Sequence, residues 1–395
     1  MKYKKLLASC FIFIVAAQAT FAQSNINFID SGLTTALKEA KAQNKPVFFM
    51  GYASWCPHCN NMKEKVFTNP TVANFFNQQF ICIAKDMQKD EGIQLQQTFG
   101  IKSYPTFIFL DSDGNTLYRT VGEFDTTGFL VQAQNSLDPK QQLPYLKKQF
   151  EADVSNVNNC YAYAFALRRG RLDYQDVVHK YLATQSDAQL LSNINLKLLA
   201  IGMTDLSSRE FNFVINHMNE FAALGSKDGM ERKIASITYQ ALFPLAKLGD
   251  TAAYFHNRKY ISNTHLFKVD SVLFLTDIHL YEKLSDWNAY QAATLQFTDK
   301  YVHNNFAQLK DIAGKYLKSI ADDKALLKAA QWAQQSLLMR EDYSTAILCA
   351  KLYEKLNDKQ EALTIAKQAK DIAVRSGLPN TSEADNILTS DQINK

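Results

Sequence analysis

Apolar residues come in two different rhythms along this chain. Over residues 24–137, short apolar runs alternate with amphipathic stretches. Val47-Phe48-Phe49-Met50-Gly51-Tyr52 and Phe80-Ile81-Cys82-Ile83-Ala84 have the unbroken apolar character of strands buried on both faces. The pattern predicts strands at 26–29, 46–52, 80–85, 106–110 and 116–121. Helices are predicted from Ser31 (as N-cap) through Ala42, over Asn60 to Phe67, over Thr71 to Asn77, and around 90–99 and 126–137. Asn69-Pro70 separates two of these helices, and Asp111-Ser112-Asp113-Gly114 is a hairpin turn. Strands that alternate with helices and then close in a hairpin imply an α/β fold: a mixed central sheet flanked by helices.

Asp138-Pro139 through Pro144 reads as a linker. From 145 to 376 the period is helical almost throughout, so an all-α domain is expected there. Ala346, Tyr353, Ala362, Ala366 and Ala369 have the small and aromatic spacing of a tetratricopeptide-type hairpin. Ala329, Ala333 and Ser336 echo its second helix about 33 residues earlier, so the repeat-like character is clearest over 325–376. The segment 377–395 reads as a loose polar tail.

The N-terminus changes the compartment. Lys2, Lys4 and Lys5 precede the apolar run Leu6 to Ala17, and Thr20-Phe21-Ala22 is a small-residue cleavage site before Gln23. This is the layout of a cleavable signal peptide over 1–22. The apolar run continues past Cys10, which argues against a lipoprotein box. The formal charge of the 395-residue chain is +4. Taking the three leader lysines from 43 leaves 40 basic residues against 39 acidic ones, and this near-neutral balance argues against nucleic acid as a partner. After Cys10, five cysteines remain, too few and too scattered for a disulfide scaffold. Cys82, Cys160 and Cys349 read as small buried hydrophobes, with a Cys160–Cys349 bridge left open.

The chemistry sits in Trp55-Cys56-Pro57-His58-Cys59, between a strand and a helix. Cys56 at a helix start is the expected attacking thiolate, exposed at the turn, because unpaired N–H groups and the helix dipole favour the anion there. Pro57 suits the first helical position. Cys59, one turn further in, is the expected resolving thiol. His58 is expected beside the Cys56 sulfur, stabilising its thiolate, and Trp55 over one side of the pair. No second ligand pair accompanies the cysteines, so no metal site is expected. Asp111, Asp113 and Asn115 fit a turn better than a calcium loop, and the remaining histidines are scattered without ligand spacing.

Residues 24–137 resemble the thioredoxin superfamily. The cysteine motif and Tyr104-Pro105-Thr106, about 46 residues beyond Cys59, carry the resemblance. It implies a thioredoxin fold over 23–137, a cis Pro105, and a loop of Tyr104, Pro105 and Thr106 that binds substrate backbone. The runs Met62 through Phe67, Asn69-Pro70 and Asp111 to Gly114 look like secreted thioredoxin-like proteins related to the thiol-reducing end of DsbD. Pro57-His58 is the dipeptide of the strong oxidant DsbA. Lys85 matches a lysine common in thioredoxins. Met50 stands where thioredoxins have a buried acid, so Cys59 lacks its usual base. The leader resembles those of Bacteroidota envelope proteins, which implies the periplasm.

The combined expectation is an exported thiol–disulfide oxidoreductase, with its direction open between reductase and oxidase or isomerase. It needs no organic cofactor, since the Cys56–Cys59 dithiol is the redox group. Envelope proteins with thiols or disulfides are the expected substrates, and a membrane redox partner resets the pair. The helical domain is expected to bind a protein partner or a second copy of the chain. The competing expectation is a client-binding helical scaffold whose redox pair is regulatory.

Overall fold

A computed structural model describes residues 25–223, 227–261 and 264–390. The leader expected over 1–22 lies outside the described residues. The chain divides into two compact units, at Ser186/Asp187.

The first unit is built on a four-stranded sheet. Strands β1 (Val47–Tyr52), β2 (Ile81–Asp86), β3 (Thr106–Leu110) and β4 (Thr116–Val121) lie in the order β2-β1-β3-β4. β1 runs parallel to β2 and antiparallel to β3, and β4 is antiparallel to β3. The sheet is mixed, as the alternation along the sequence predicts. Because successive side chains on a strand point to opposite faces, β1 feeds two cores at once. Val47 and Phe49 join Ile81, Ile83, Ile108 and Leu110 under helices α1 (Leu33–Gln43) and α4 (Asp90–Thr98). Phe48 and Met50 join Phe107 and Phe109 on the other face. That face is covered by α2 (Pro57–Asn61), the π-helical turn Met62–Val66, α3 (Pro70–Gln79) and α5 (Thr126–Leu137). Phe76 and Phe129 stack here, 4.8 Å apart and 2° from parallel.

Three local expectations change. The strand predicted at 26–29 is a single bridge, Phe28 to Cys82. The N-cap of α1 is Gly32 and not Ser31, and the Glu91 carboxylate accepts from the Leu33 N–H in place of a local cap. Helix is continuous through residue 66, but its second half is π-wound, with Phe67 N–H donating to the Met62 carbonyl.

The stretch read as a linker is a turn, Pro139–Gln141, that leads directly into α6 (Leu143–Ala152). α6 and α7 (Val157–Arg169) pack against β4, and α8 (Gln175–Leu182) packs on α7, so this helical extension shares the first unit. Gly170 permits the fit: a β-carbon there would stand 3.2 Å from the Arg119 side chain. Arg119 is itself nearly fully buried, and its guanidinium donates to the carbonyls of Phe99 and Gly100.

The second unit, from Asp187, is helical. Asp323–Met339, Tyr343–Lys355 and Lys359–Arg375 pack in sequence, each on the next, and the small and aromatic positions singled out in the sequence are buried among them. Part of the segment expected to be a loose tail is ordered. Ser382–Ser390 is a helix that buries Ala384 and Ile387 against the same core, because those two residues share one face of the helix. The five cysteines among the described residues are all free and buried; Cys160 and Cys349 form no bridge.

Candidate thiol–disulfide site

β1 ends at Tyr52, the chain turns through Ala53 to Trp55, and Cys56 is the N-cap of α2 with extended backbone angles. Pro57 occupies the first helical position, where its missing N–H costs nothing. Both the Cys59 and the Asn60 N–H donate to the Cys56 carbonyl. Facing them is the loop before β3, in which the Tyr104–Pro105 peptide is cis. The Cys56 Sγ lies 3.7 Å from the Tyr104 carbonyl oxygen.

The two thiols differ in burial, less sharply than the sequence suggests. Cys59 has no exposed surface and Cys56 retains 5%. Cys56 is thus not an exposed turn residue: the Tyr104 loop closes over its sulfur and leaves only an edge open. The Cys59 thiol hydrogen-bonds with Cys56, and burial pushes it up to about 12. A backbone hydrogen bond from Ala53 and the charge of Lys63 act in the opposite direction.

Trp55 is largely exposed and meets Tyr104 edge-on, with ring centroids 6.2 Å apart. Its indole N–H donates to Gln88 Oε1 at 2.8 Å. His58 departs from expectation. Its Nδ1 lies 2.5 Å from Glu123 Oε2, in the loop after β4, and no hydrogen bond joins the ring to Cys56. Hydrogen bonding to His58 draws the Glu123 carboxyl below the ordinary carboxylate range.

In the loop before β3, the Tyr104 N–H has no hydrogen-bond partner among the described residues. The Pro105 carbonyl is occupied by the Gly122 N–H at 2.9 Å. Thr106 is fully buried, and its hydroxyl donates to the Ser103 carbonyl at 2.7 Å, so it shapes the loop from beneath.

Reasoning from sequence missed two charged residues. Lys63 lies with its ammonium 3.1 Å from the centre of the Tyr52 ring, close enough to Cys59 to act on it electrostatically. Its spacing, four residues beyond Cys59 on a helix, was the available signal. Glu123, 65 residues from His58, had none. Met50, at the position where the resemblance implies an acid, is fully buried in β1.

A family model described as the thioredoxin-like domain matches residues 33–131. This part of the chain belongs to the thioredoxin superfamily. Its thioredoxin-like residues are 32% identical, over 100 residues, to the thiol:disulfide interchange protein DsbD of Yersinia pestis, which covers 25% of this chain and 17% of that one. They are 26% identical, over 140 residues, to the chloroplastic thioredoxin-like protein HCF164 of Arabidopsis thaliana, covering 34% of this chain and 52% of that one. The chain therefore spans about a sixth of the DsbD relatives it matches. A solution structure of a candidate disulphide-isomerase from Bacteroides thetaiotaomicron is 32% identical, covers 29% of this chain and 97% of its own, and superposes with a TM-score of 0.28. Among the described residues no helix is long and apolar enough to cross a membrane, and no group of three or more His, Cys, Asp or Glu has a metal-site arrangement.

Proposed function

We infer that this protein is an exported thiol–disulfide oxidoreductase of the envelope. The observation that carries the reading is the Cys56–Cys59 pair at a helix start, with the Cys56 sulfur 3.7 Å from the Tyr104 carbonyl of a partly unpaired loop. In the reducing direction, the Cys56 thiolate attacks a client disulfide. A Cys56–client mixed disulfide forms and one client thiolate leaves. Cys59 loses its proton and attacks the Cys56 sulfur; the Cys56–Cys59 disulfide forms and the second client thiolate departs. Two electrons pass to the client. The oxidising direction is the reverse sequence. Tyr104 offers backbone to the client, with Pro105 and Thr106 fixing that loop, while Trp55, Pro57 and His58 tune the pair. The dithiol itself is the redox group. A membrane-bound thiol donor or acceptor resets it in the periplasm, and the helical unit engages a protein partner or a second copy of the chain.

The test is exchange with a disulfide-bonded peptide, together with the equilibrium potential against glutathione. Cys56→Ser is expected to abolish exchange, and Cys59→Ser to accumulate the mixed disulfide. A potential near about −270 mV marks a thioredoxin-like reductase, and one near about −120 to −180 mV an oxidant or isomerase. Undiminished exchange in Cys56→Ser overturns the reading.

A further inference from the structure

The helical extension of the first unit does more than cover β4. Where α7 ends, Arg168 and Arg169 close the last turn, Gly170 passes tightly over Arg119, and Arg171 reverses the chain in the left-handed region at φ 55°. Beside this turn is an open groove of about 650 Å³. Its walls include Arg168, Arg169, Arg171 and Lys102, with the rings of Phe165 and Tyr174, and no carboxylate lines it. None of the four cations forms an ion pair among the described residues. Arg169 lies 4.0 Å over the Tyr118 ring, and its Nη2 is shut off from solvent without a hydrogen-bond partner. Such clustering is local, since the mature chain is close to neutral.

The groove also reaches Ser103, the residue before Tyr104. Lys102 and Ser103 therefore belong to one loop with the carbonyl that faces the Cys56 sulfur. A polypeptide lying along Tyr104 with its cysteine at Cys56 would carry its neighbouring residues to this groove.

We propose that the groove binds acidic side chains of the client polypeptide, close in sequence to the cysteine that exchanges with Cys56. The helical extension thereby selects clients with carboxylates beside the reactive cysteine. Guanidinium groups suit this task, because their planar forks match carboxylates and remain charged. The assignment rests on the exchange reading for the identity of the client, and its test uses no redox chemistry.

Two labelled peptides differ only in flanking residues: a central serine in place of cysteine, surrounded by Asp and Glu or by Asn and Gln. Each is titrated into the oxidised full chain at low salt, with binding read by fluorescence anisotropy. The acidic peptide is expected to bind about tenfold more tightly than its amide counterpart, with the preference falling as salt rises. Arg168→Glu/Arg171→Glu, at two exposed positions, is expected to remove that preference while leaving exchange with a small neutral disulfide unchanged. Equal binding of the two peptides, or an unchanged preference in the variant, overturns the proposal. Displacement of the acidic peptide by inorganic phosphate at an equal concentration would also overturn it, marking a small-anion site. Failure of Cys56 to exchange with any disulfide strikes the oxidoreductase reading and leaves the binding result standing.

Discussion

His58 Nδ1 and Glu123 Oε2 are 2.5 Å apart, so the histidine between the two cysteines is held by an acid from the loop after β4. The positive charge expected to favour the Cys56 thiolate is thereby opposed at its source. Glu123→Gln removes the opposing charge, and the pair is expected to become more oxidising by roughly 10–20 mV, the scale of one solvent-exposed charge. The Glu123 carboxyl is depressed, so its charge persists across neutral pH and is lost only as pH falls through that lowered value. The difference between variant and parent should therefore be present at neutral pH and close as pH falls through that lowered value. Potentials measured against glutathione across this range decide it; a fall in potential, or none, contradicts the account.

Cys59 must lose a proton to resolve a mixed disulfide, yet burial pushes it up to about 12 and no acid stands at Met50 to accept it. The rate of resolution should rise about tenfold per pH unit between about pH 6 and 9 without levelling, following the thiolate fraction. Lys63→Met removes the nearby charge that favours the Cys59 thiolate and should slow resolution roughly three- to tenfold. Single-turnover kinetics of a preformed mixed disulfide give both numbers, and a plateau below pH 8 would show that another base serves Cys59.

Asp342 caps the helix Tyr343–Lys355, accepts from the Thr345 N–H and hydroxyl, and pairs with Lys310. Desolvation would raise its carboxyl, but hydrogen bonds from Lys310, Thr345 and Ser344 outweigh it and hold the group below the ordinary range. A depressed carboxyl stabilises the fold above its unfolded value and loses that contribution as pH falls through the folded one. Asp342→Ala is expected to cost about 1–2 kcal/mol at pH 7. Most of that is the cap, because the carboxylate is 37% exposed and its ion pair is screened. The gap between parent and variant should shrink below about pH 4. Urea midpoints at pH 7 and 3.5 would expose an error if the gap stayed constant.

In the same unit, Asp277 receives Arg258 through two hydrogen bonds, at 2.9 and 2.8 Å, and the Tyr254 hydroxyl at 2.7 Å. Asp277→Ala takes from the partly buried Arg258 guanidinium its two-oxygen acceptor, while the Tyr254 hydroxyl keeps Thr276 Oγ1 at 2.9 Å. Because solvent reaches the guanidinium, the loss is expected to be about 1–3 kcal/mol. Chemical unfolding followed by tryptophan emission tests it, and a loss below about 1 kcal/mol would mean that water replaces the carboxylate.

Four of the five predicted strands, the hairpin turn and the strand-to-helix position of the cysteines were legible because each depends on local sequence. Buried strands show as apolar runs, and Pro57 and Pro70 mark helix starts. The isolated bridge at Phe28 was over-read because four apolar-alternating residues look alike whether or not a neighbour accepts their hydrogen bonds. The His58–Glu123 pair was invisible because two loops far apart in sequence meet only after the sheet has formed. The attachment of α6 and α7 to β4 was hidden for the same reason: Gly170 and Arg119 gain their relation from packing, while Asp138-Pro139 displays a break that the fold does not use as a boundary. The helix at Ser382–Ser390 was missed because two buried residues, Ala384 and Ile387, are a faint signal in polar surroundings.

The π-helical turn at Met62–Val66 makes the neighbourhood of the cysteines sensitive to length in a way that composition does not reveal. Each hydrogen-bonded ring there spans one more residue than in an α-helix, and Phe67 reaches its place among Phe28, Phe107 and Phe129 by that count. Removing a single residue between Met62 and Val66 would leave a sequence that still favours helix, but would rotate Phe67 away from these rings. Within this turn, conservative replacements are tolerable changes and a one-residue deletion is a frameshift of the core.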